Sequence, residues 1–312
     1  MLGIETMLVG IYLAVVNLVA FVAYGIDKRR ARRGDWRIPE RTLLALGFVG
    51  GGLGAFLGMR VFHHKTRKLR FRLLVPLALA CTLVVGGGAL YFSDYYHADA
   101  VAVAAVSSSE EVEVRSLGGG ELAFVPADPV AGMVFYPGAK VQPEAYAPLL
   151  RACAQRGVLC VLVRPPLNFS LLDVSAAGDA IQAFPEMQTW ILAGHSLGGV
   201  AAAAYAADNL QDIDAMVFLA SYPAADLSAL DGPTLSVVGS EDQVLNRDAY
   251  SEAWTRLPVE ARELVIDGGN HAQFGNYGKQ RGDGVATIAR EDQQAQTADA
   301  IASLVSELQA TP

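Results

Sequence analysis

The chain has 312 residues, 52% of them hydrophobic, with 24 basic and 32 acidic side chains and a formal net charge of −8. The charge is unevenly spread: residues 1–100 hold 13 Lys and Arg against 6 Asp and Glu, a balance of +7, and the remainder stands at −15. Nucleic acid is the competing partner for the basic half, but its charges interrupt long apolar runs and do not cover a polar helix face, so no nucleic-acid partner is expected and an anionic membrane surface fits better.

In chain order, "MLVGIYLAVVNLVAFVAYGI" (7–26) and "LLVPLALACTLVVGGGALYF" (73–92) are each uncharged over about the length needed to cross a hydrocarbon core, and both are expected to span. Thr42 to Met59 is shorter, and its glycines at 47, 50, 51, 52, 54 and 58 weaken it as a free-standing helix while allowing close packing, so it either spans or re-enters. A cleaved signal peptide is not expected, since the basic cluster follows the first apolar run. "DKRRARRGDWRIPER" (27–41) carries seven basic residues and "RVFHHKTRKLRFR" (60–72) carries six. Three full spans would put these loops on opposite sides of the cell membrane, against the positive-inside bias. A re-entrant middle segment puts both inside, starts the first helix outside and delivers the carboxyl-terminal part outside. His63 and His64 have no Cys or acid beside them in sequence and read as interfacial residues, not metal ligands.

The succession "YGIDKRRARR…RIPERTLL…GFVGGGLGAFLGM…HHKTRKLRF", Tyr24 to Phe71, resembles a small bacterial membrane domain of unknown function. The resemblance implies no activity. The expected organisation is a membrane domain of two or three hydrophobic helices over 1–92, a linker and first strand over 93–117, and a third region over 118–312.

Beyond residue 110 the chain alternates short apolar runs with amphipathic ones. Strands are predicted at Glu111–Arg115, Leu122–Val125, Gly132–Tyr136, Val158–Val163, Thr189–Leu192, Ala215–Leu219, Thr234–Val238 and Glu263–Ile266. Helices are predicted at Gln142–Arg156, Asp173–Phe184, Leu197–Asn209, Arg247–Arg256 and Gln293–Gln309. This alternation specifies an α/β fold with a mostly parallel sheet covered on both faces.

Gly194-His195-Ser196-Leu197-Gly198 fits G-x-S-x-G between a predicted strand and a predicted helix, the setting of a nucleophile elbow. Small residues two before and two after Ser196 let the backbone fold back on itself, and the helix opening at Leu197 brings amides and its dipole to a developing oxyanion. An acid and a histidine should follow in that order. Asp242 lies just beyond the strand "TLSVVG" and His271 in the loop after "ELVID", both at carboxyl ends of strands, where ligands bind in open α/β sheets. Asp226 and Glu241 are weaker candidates for the acid, Asp267 reads as structural, and His195 is poorly placed as a base inside the elbow itself. "YPGAK" (136–140) ends an early strand, and its Ala139 amide, or that of Lys140, is the expected second oxyanion donor beside Leu197. Arg164 and the "PPLNF" after it are expected to line one wall.

Residues 118–309, with "YPGAKV", "GHSLGG", "VVGSEDQV" and "GGNHAQFGNYG", resemble a compact bacterial serine α/β-hydrolase family. The resemblance implies Ser196 as nucleophile, Asp242 as acid and His271 as base, in an α/β-hydrolase fold. The interval from Ala220 to Gly232 is too short for a large lid. The expected function is a membrane-anchored serine hydrolase of the esterase type, acting on a small-molecule or lipid-like acyl substrate through an acyl-enzyme, with no metal or organic cofactor. A catalytically inactive binding or scaffold protein at the membrane is the alternative. Cys153 and Cys160 read as buried apolar residues, not a disulfide. Oligomeric state and substrate identity are left open by the sequence.

Overall fold

The computed structural model describes residues 4–310 and divides the chain into two compact units, Met1–Tyr95 and Tyr96–Pro312. In the first unit three helical stretches, Thr6–Arg33, Glu40–Val61 and Leu69–Ser93, are long and apolar enough to cross a membrane by length and composition. The first is α1 (Ile4–Arg33). The middle stretch consists of two arms, α2 (Glu40–Leu46) and α3 (Gly52–Val61), joined by a tight turn in which Val49 (φ −82°, ψ 21°) and Gly50 (φ 104°, ψ −2°) leave helical geometry.

That turn reverses the chain. A straight helix of 22 residues would hold its ends about 33 Å apart. Instead Lys65, just past α3, brings Nζ to 2.7 Å from Oε1 of Glu40 at the start of α2, and Lys68 Nζ lies 2.5 Å from the same oxygen. Lys28 Nζ on α1 donates to the carbonyl of His63 at 3.2 Å, and His64 Nε2 lies 2.7 Å from Oδ2 of Asp27. Glu40–Val61 is therefore a hairpin whose two ends both return to the carboxyl-terminal end of α1. His64 is buried against the fully buried Asp27, which Arg37 and Lys65 also approach at 3.3 and 3.7 Å. His64 thus has an acid beside it that the sequence did not show, because that acid stands 37 residues earlier in the chain.

A reversing turn leaves backbone groups without helical partners, and the flanking helices supply them. Asn17 Nδ2 donates to the Gly50 carbonyl (2.8 Å) while its Oδ1 accepts from the Gly54 amide (2.8 Å). Tyr12 Oη donates to the Val49 carbonyl (2.6 Å), and Thr82 Oγ1 accepts from the Gly52 amide (3.0 Å). Gly54 is required by close approach: a Cβ there would fall 1.9 Å from the Asn17 carbonyl oxygen. After the hairpin, α4 (Leu69–Cys81), a π-helical turn at Thr82–Gly86 and α5 (Gly87–Ser93) run back along α1, so that Ser93 Oγ reaches Thr6 Oγ1 at 3.3 Å.

The second unit is built on eight strands: β1 (Val112–Ser116), β2 (Leu122–Pro126), β3 (Ala131–Tyr136), β4 (Val158–Leu162), β5 (Trp190–His195), β6 (Ala215–Leu219), β7 (Thr234–Gly239) and β8 (Arg262–Ile266). Their order is β1-β2-β4-β3-β5-β6-β7-β8. β1 and β2 pair antiparallel, β2 meets β4 antiparallel, and every later pairing is parallel. Central strands buried on both faces read as continuous apolar runs, and β3, β4 and β6 are buried at every position. Alternate residues feed two cores: Met133 and Phe135 pack on one face with Leu149, Leu150, Ile301 and Leu304. Val134 and Tyr136 pack on the other with Ala180, Ala202, Met216 and Phe218. The helices covering these faces are α7 (Ala147–Ala154) and α11 (Arg290–Ala310) on the first, α8 (Ala176–Gln182) and α9 (Leu197–Asp208) on the second. Cys153 and Cys160 are free thiols in the first core.

Of the stretch 93–117, expected as a linker and first strand, residues 96–117 belong to this unit. Tyr96 exchanges backbone hydrogen bonds with Lys140 and Gln142 (2.7 and 2.8 Å), and a short helix, α6 (Ala100–Ala105), is capped by Asp99, whose carboxylate also pairs with Arg290 at 3.1 Å.

Candidate active site

β5 to β8 lie side by side and parallel, so their carboxyl-terminal ends open on one edge of the sheet. Ser196 follows β5 directly and holds φ 52°, ψ −124°, a conformation a non-glycine residue adopts only when its surroundings impose it. The surroundings do: the Ser196 amide donates to the Leu219 carbonyl (2.9 Å), its own carbonyl accepts from Ser221 Oγ (2.5 Å), and α9 begins at the next residue. The flanking glycines leave the necessary room. A Cβ on Gly194 would meet the Gly198 carbonyl carbon at 2.4 Å, and one on Gly198 would meet the Tyr136 carbonyl oxygen at 2.1 Å. β5 is longer than predicted because Gly194 and His195, read as turn, still pair with Phe218 and Leu219.

His271 lies in the loop after β8 and is 1% exposed. Its Nδ1 is 2.9 Å from Oδ2 of Asp242, in the loop after β7. The other carboxylate oxygen of Asp242 accepts from the amides of Val244 (2.8 Å) and Leu245 (2.9 Å). Burial opposes ionisation of Asp242, but the hydrogen bonds from His271 and from the two amides prevail and hold its carboxyl below the ordinary range. The opposite ring nitrogen, His271 Nε2, is buried with no hydrogen-bond partner among the described residues. The His271 residue shares with Ser196 and Leu197 a cavity of about 190 Å³, whose walls include Val200, Tyr222, Leu245 and Asn246.

The structure thus brings Ser196, Leu197 and His271 to one cavity and sets Asp242 behind His271. Ala139 is not among the residues lining it. Of the amides in its turn, Gly138 donates to Tyr146 Oη (3.1 Å) and Lys140 to the Asn168 carbonyl (2.7 Å). Lys140 is thereby removed as an amide donor to a ligand, and Ala139 keeps the one amide of the three without a partner among the described residues. The rejected acids lie elsewhere: Asp226 caps the Ser228 amide and Asp267 is exposed. Arg164 is corrected too. It pairs with Glu144 at 2.6 Å and is absent from the cavity wall.

His195 packs its ring against His271 with centroids 4.5 Å apart, and its Nδ1 lies 2.7 Å from Tyr146 Oη. The same hydroxyl accepts from the Gly138 amide at 3.1 Å. Burial, reinforced by the neighbouring His271, holds His195 neutral, well below the usual imidazole range. Two further residues position the loops. Asp283 accepts from the Ala272 amide (2.8 Å) and, more weakly, from those of His271 and Gln243 (both 3.4 Å), tying the loop of the base to that of the acid. Fully buried Gln293 clamps Asn270 through both its amide oxygen (3.0 Å) and its amide nitrogen (2.8 Å). The available signals were the "GDG" around Asp283 and a glutamine on the stripe that continues through Thr297, Ile301 and Leu304, all buried.

The alpha/beta hydrolase family profile matches residues 132–295, more than half of the chain, and the profile of a protein family of unknown function, DUF1294, matches 17–71. An uncharacterized protein of Bacillus subtilis strain 168, YsdA, is 40% identical over 89 residues, covering 28% of this chain and 98% of that protein. Among solved structures, a predicted CIB-like hydrolase from Thermoplasma acidophilum is similar at TM-score 0.48 and 13% identity, over 62% of this chain and 99% of its own. A dienelactone hydrolase from Anabaena variabilis is similar at TM-score 0.48 and 17% identity, over 64% and 99%. The chain belongs to the alpha/beta hydrolase family, with a DUF1294 domain at its amino terminus.

Proposed function

We propose that the protein is a membrane-anchored serine hydrolase that cleaves a carboxylic ester or related acyl bond. The observation that carries this reading is a strained Ser196 and His271 lining one cavity, with His271 Nε2 left partnerless and Nδ1 on the far side of that imidazole bonded to Asp242 at 2.9 Å. Asp242 accepts the Nδ1 proton, so the free lone pair sits on Nε2, facing the cavity. His271 takes the Ser196 proton as Oγ attacks the acyl carbonyl, Asp242 stabilises the imidazolium, and the Leu197 and Ala139 amides receive the oxyanion. His271 then returns the proton to the leaving alcohol. In the second half it takes a proton from the water that attacks the acyl-enzyme, and gives that proton to Ser196 Oγ as the carboxylic acid departs.

The hairpin supports a topology. With both ends of Glu40–Val61 at one end of the first unit, the two basic loops share a side, which satisfies the positive-inside bias, and Asn17, Tyr12 and Thr82 meet the demand that backbone at membrane depth be satisfied by protein. The hydrolase unit, which begins at Tyr96 just past the third helix, then lies outside the cell.

The test is hydrolysis of p-nitrophenyl butyrate by the full chain in nanodiscs. Turnover lost in both Ser196→Ala and His271→Ala supports the proposal; turnover retained in Ser196→Ala, or absent from the folded wild type, refutes it.

A further inference from the structure

The turn that carries the proposed second oxyanion donor, Pro137 to Lys140, is tied down from several directions. The Pro137 carbonyl accepts from Ser170 Oγ (2.7 Å), the Lys140 amide donates to the Asn168 carbonyl (2.7 Å), and the Lys140 carbonyl accepts from the Tyr96 amide (2.7 Å). A fourth tie runs on toward the nucleophile. The Gly138 amide donates to Tyr146 Oη at 3.1 Å, and the same oxygen lies 2.7 Å from Nδ1 of His195, the residue before Ser196. The His195 ring in turn packs on that of His271, with centroids 4.5 Å apart. One hydroxyl thus meets the oxyanion turn and the elbow, and through one ring the base.

Little room surrounds this chain of contacts. Tyr146 is fully buried and His195 is 1% exposed. A Cβ on Gly138 would fall 2.8 Å from Tyr146 Oη and 2.9 Å from His195 Nδ1, so the turn rests directly on the pair. A Cβ on Gly198 would meet the Pro137 carbonyl oxygen at 2.5 Å, so the first turn of α9 abuts the same segment. Burial keeps the Tyr146 phenol protonated and His195 neutral, so neither brings charge to the reaction. Packing alone does not require the hydroxyl: the ring contacts of Tyr146 with Phe135 and Tyr277, at centroid distances of 5.0 and 6.4 Å, are open to phenylalanine as well. What the hydroxyl adds is a fixed direction for the Gly138 amide, one peptide before that of Ala139. We infer that Tyr146 is a positioning residue of this site: its hydroxyl, linked to His195, holds the Pro137–Lys140 turn in register with Ser196, so that the Ala139 amide points at the developing oxyanion. The inference rests on the serine hydrolase reading above and adds to it a residue that touches neither substrate nor reacting atoms.

The experiment uses the full chain in nanodiscs and three variants, Tyr146→Phe, His195→Leu and His195→Asn, with circular dichroism as the check on folding. It reads kcat and KM on p-nitrophenyl butyrate, and Ki for phenylboronic acid, whose boron bonds to Ser196 Oγ as the serine proton passes to His271, giving a tetrahedral anion. Tyr146→Phe is expected to lower kcat about 10–100-fold, the cost of an oxyanion donor displaced but not removed. KM should stay within threefold and Ki should rise by about the same factor as kcat falls, since the turn acts on the tetrahedral state and not on the bound ester. Leu and Asn at position 195 both remove the ring and are close in size, so their difference reads the polar link. His195→Leu is expected to lose at least as much kcat as Tyr146→Phe, and His195→Asn, whose amide replaces Nδ1, to exceed His195→Leu at least threefold. A kcat within tenfold of wild type in folded Tyr146→Phe, a rise in KM at unchanged kcat, or less than threefold between the two position-195 variants overturns the inference. That pair decides alone if Tyr146→Phe does not fold. A fluorophosphonate adduct on Ser196 of wild type alongside such a result shows that the serine mechanism stands and the positioning role falls. No adduct and no turnover by folded wild type overturns both.

Discussion

Replacement of Asp242 by asparagine isolates the role of one oxygen. Oδ1 of Asp242 accepts two backbone amides, at 2.8 and 2.9 Å, and Oδ2 faces His271 Nδ1 at 2.9 Å. The asparagine must keep its carbonyl oxygen toward Val244 and Leu245, because the flipped amide would leave two buried N–H groups facing a donor, each at a cost of about 1–3 kcal/mol. Its NH₂ group then donates to Nδ1 and forces the imidazole proton onto Nε2, toward Ser196. A histidine in that tautomer cannot take the serine proton. The expected loss in kcat is on the order of 10⁴, about 5 kcal/mol of transition-state stabilisation, with the fold retained. The assay is ester turnover by wild type and Asp242→Asn, with circular dichroism as the check on folding. Activity within tenfold of wild type in a folded variant refutes the assignment of Asp242.

The same carboxylate makes a prediction in pH. Its pKa is depressed in the folded state, so its contribution to stability is fully present above the unfolded aspartate value of about 3.9 and is lost as pH falls through the folded value; acid unfolding of Asp242→Asn should be shallower than that of wild type below about pH 4. Asp283→Ala removes the acceptor for four loop amides and should cost about 2 kcal/mol, read as a Tm lower by about 4–8 °C, with kcat falling more than KM rises. Asn17→Ala orphans the Gly54 amide and the Gly50 carbonyl. It should destabilise the hairpin by about 2–6 kcal/mol, seen as a lower melting transition of the detergent-solubilised chain, while an unchanged melt would show that the side chain does not hold the tip. Protease added to intact spheroplasts should digest the hydrolase unit and spare the 27–41 loop; the reverse pattern places the hydrolase inside the cell.

Much of the second unit was legible because its signals are local. Ala215–Leu219 was read at its observed bounds, and β7 and β8 within a residue, since apolar runs bounded by glycine and proline mark buried parallel strands wherever they occur. Ser196, Asp242 and His271 were legible for the same reason: each stands just past such a run. What escaped depends on partners far apart in sequence. Nothing near Asn17 marks it as the acceptor for the Gly54 amide, 37 residues on, and an asparagine in an apolar run reads only as a tolerated polar residue. Asp27 and His64 find each other only because the hairpin folds back. The Lys140 amide was a fair candidate donor until the Asn168 carbonyl, brought in by the turn after β4, was seen to occupy it. Residues 96–117 read as a linker because their partners are distant in sequence: backbone groups of Lys140 and Gln142, and the Arg290 guanidinium on Asp99.

The central claim is that Ser196 is an activated nucleophile, and a fluorophosphonate probe reads this without any assumption about substrate. Full-length protein in nanodiscs is treated with the probe, digested, and the adduct located by mass spectrometry in wild type, Ser196→Ala and His271→Ala. The account predicts a single adduct on Ser196 that both substitutions abolish. A folded wild type that takes no label, or a label that persists in Ser196→Ala, contradicts it.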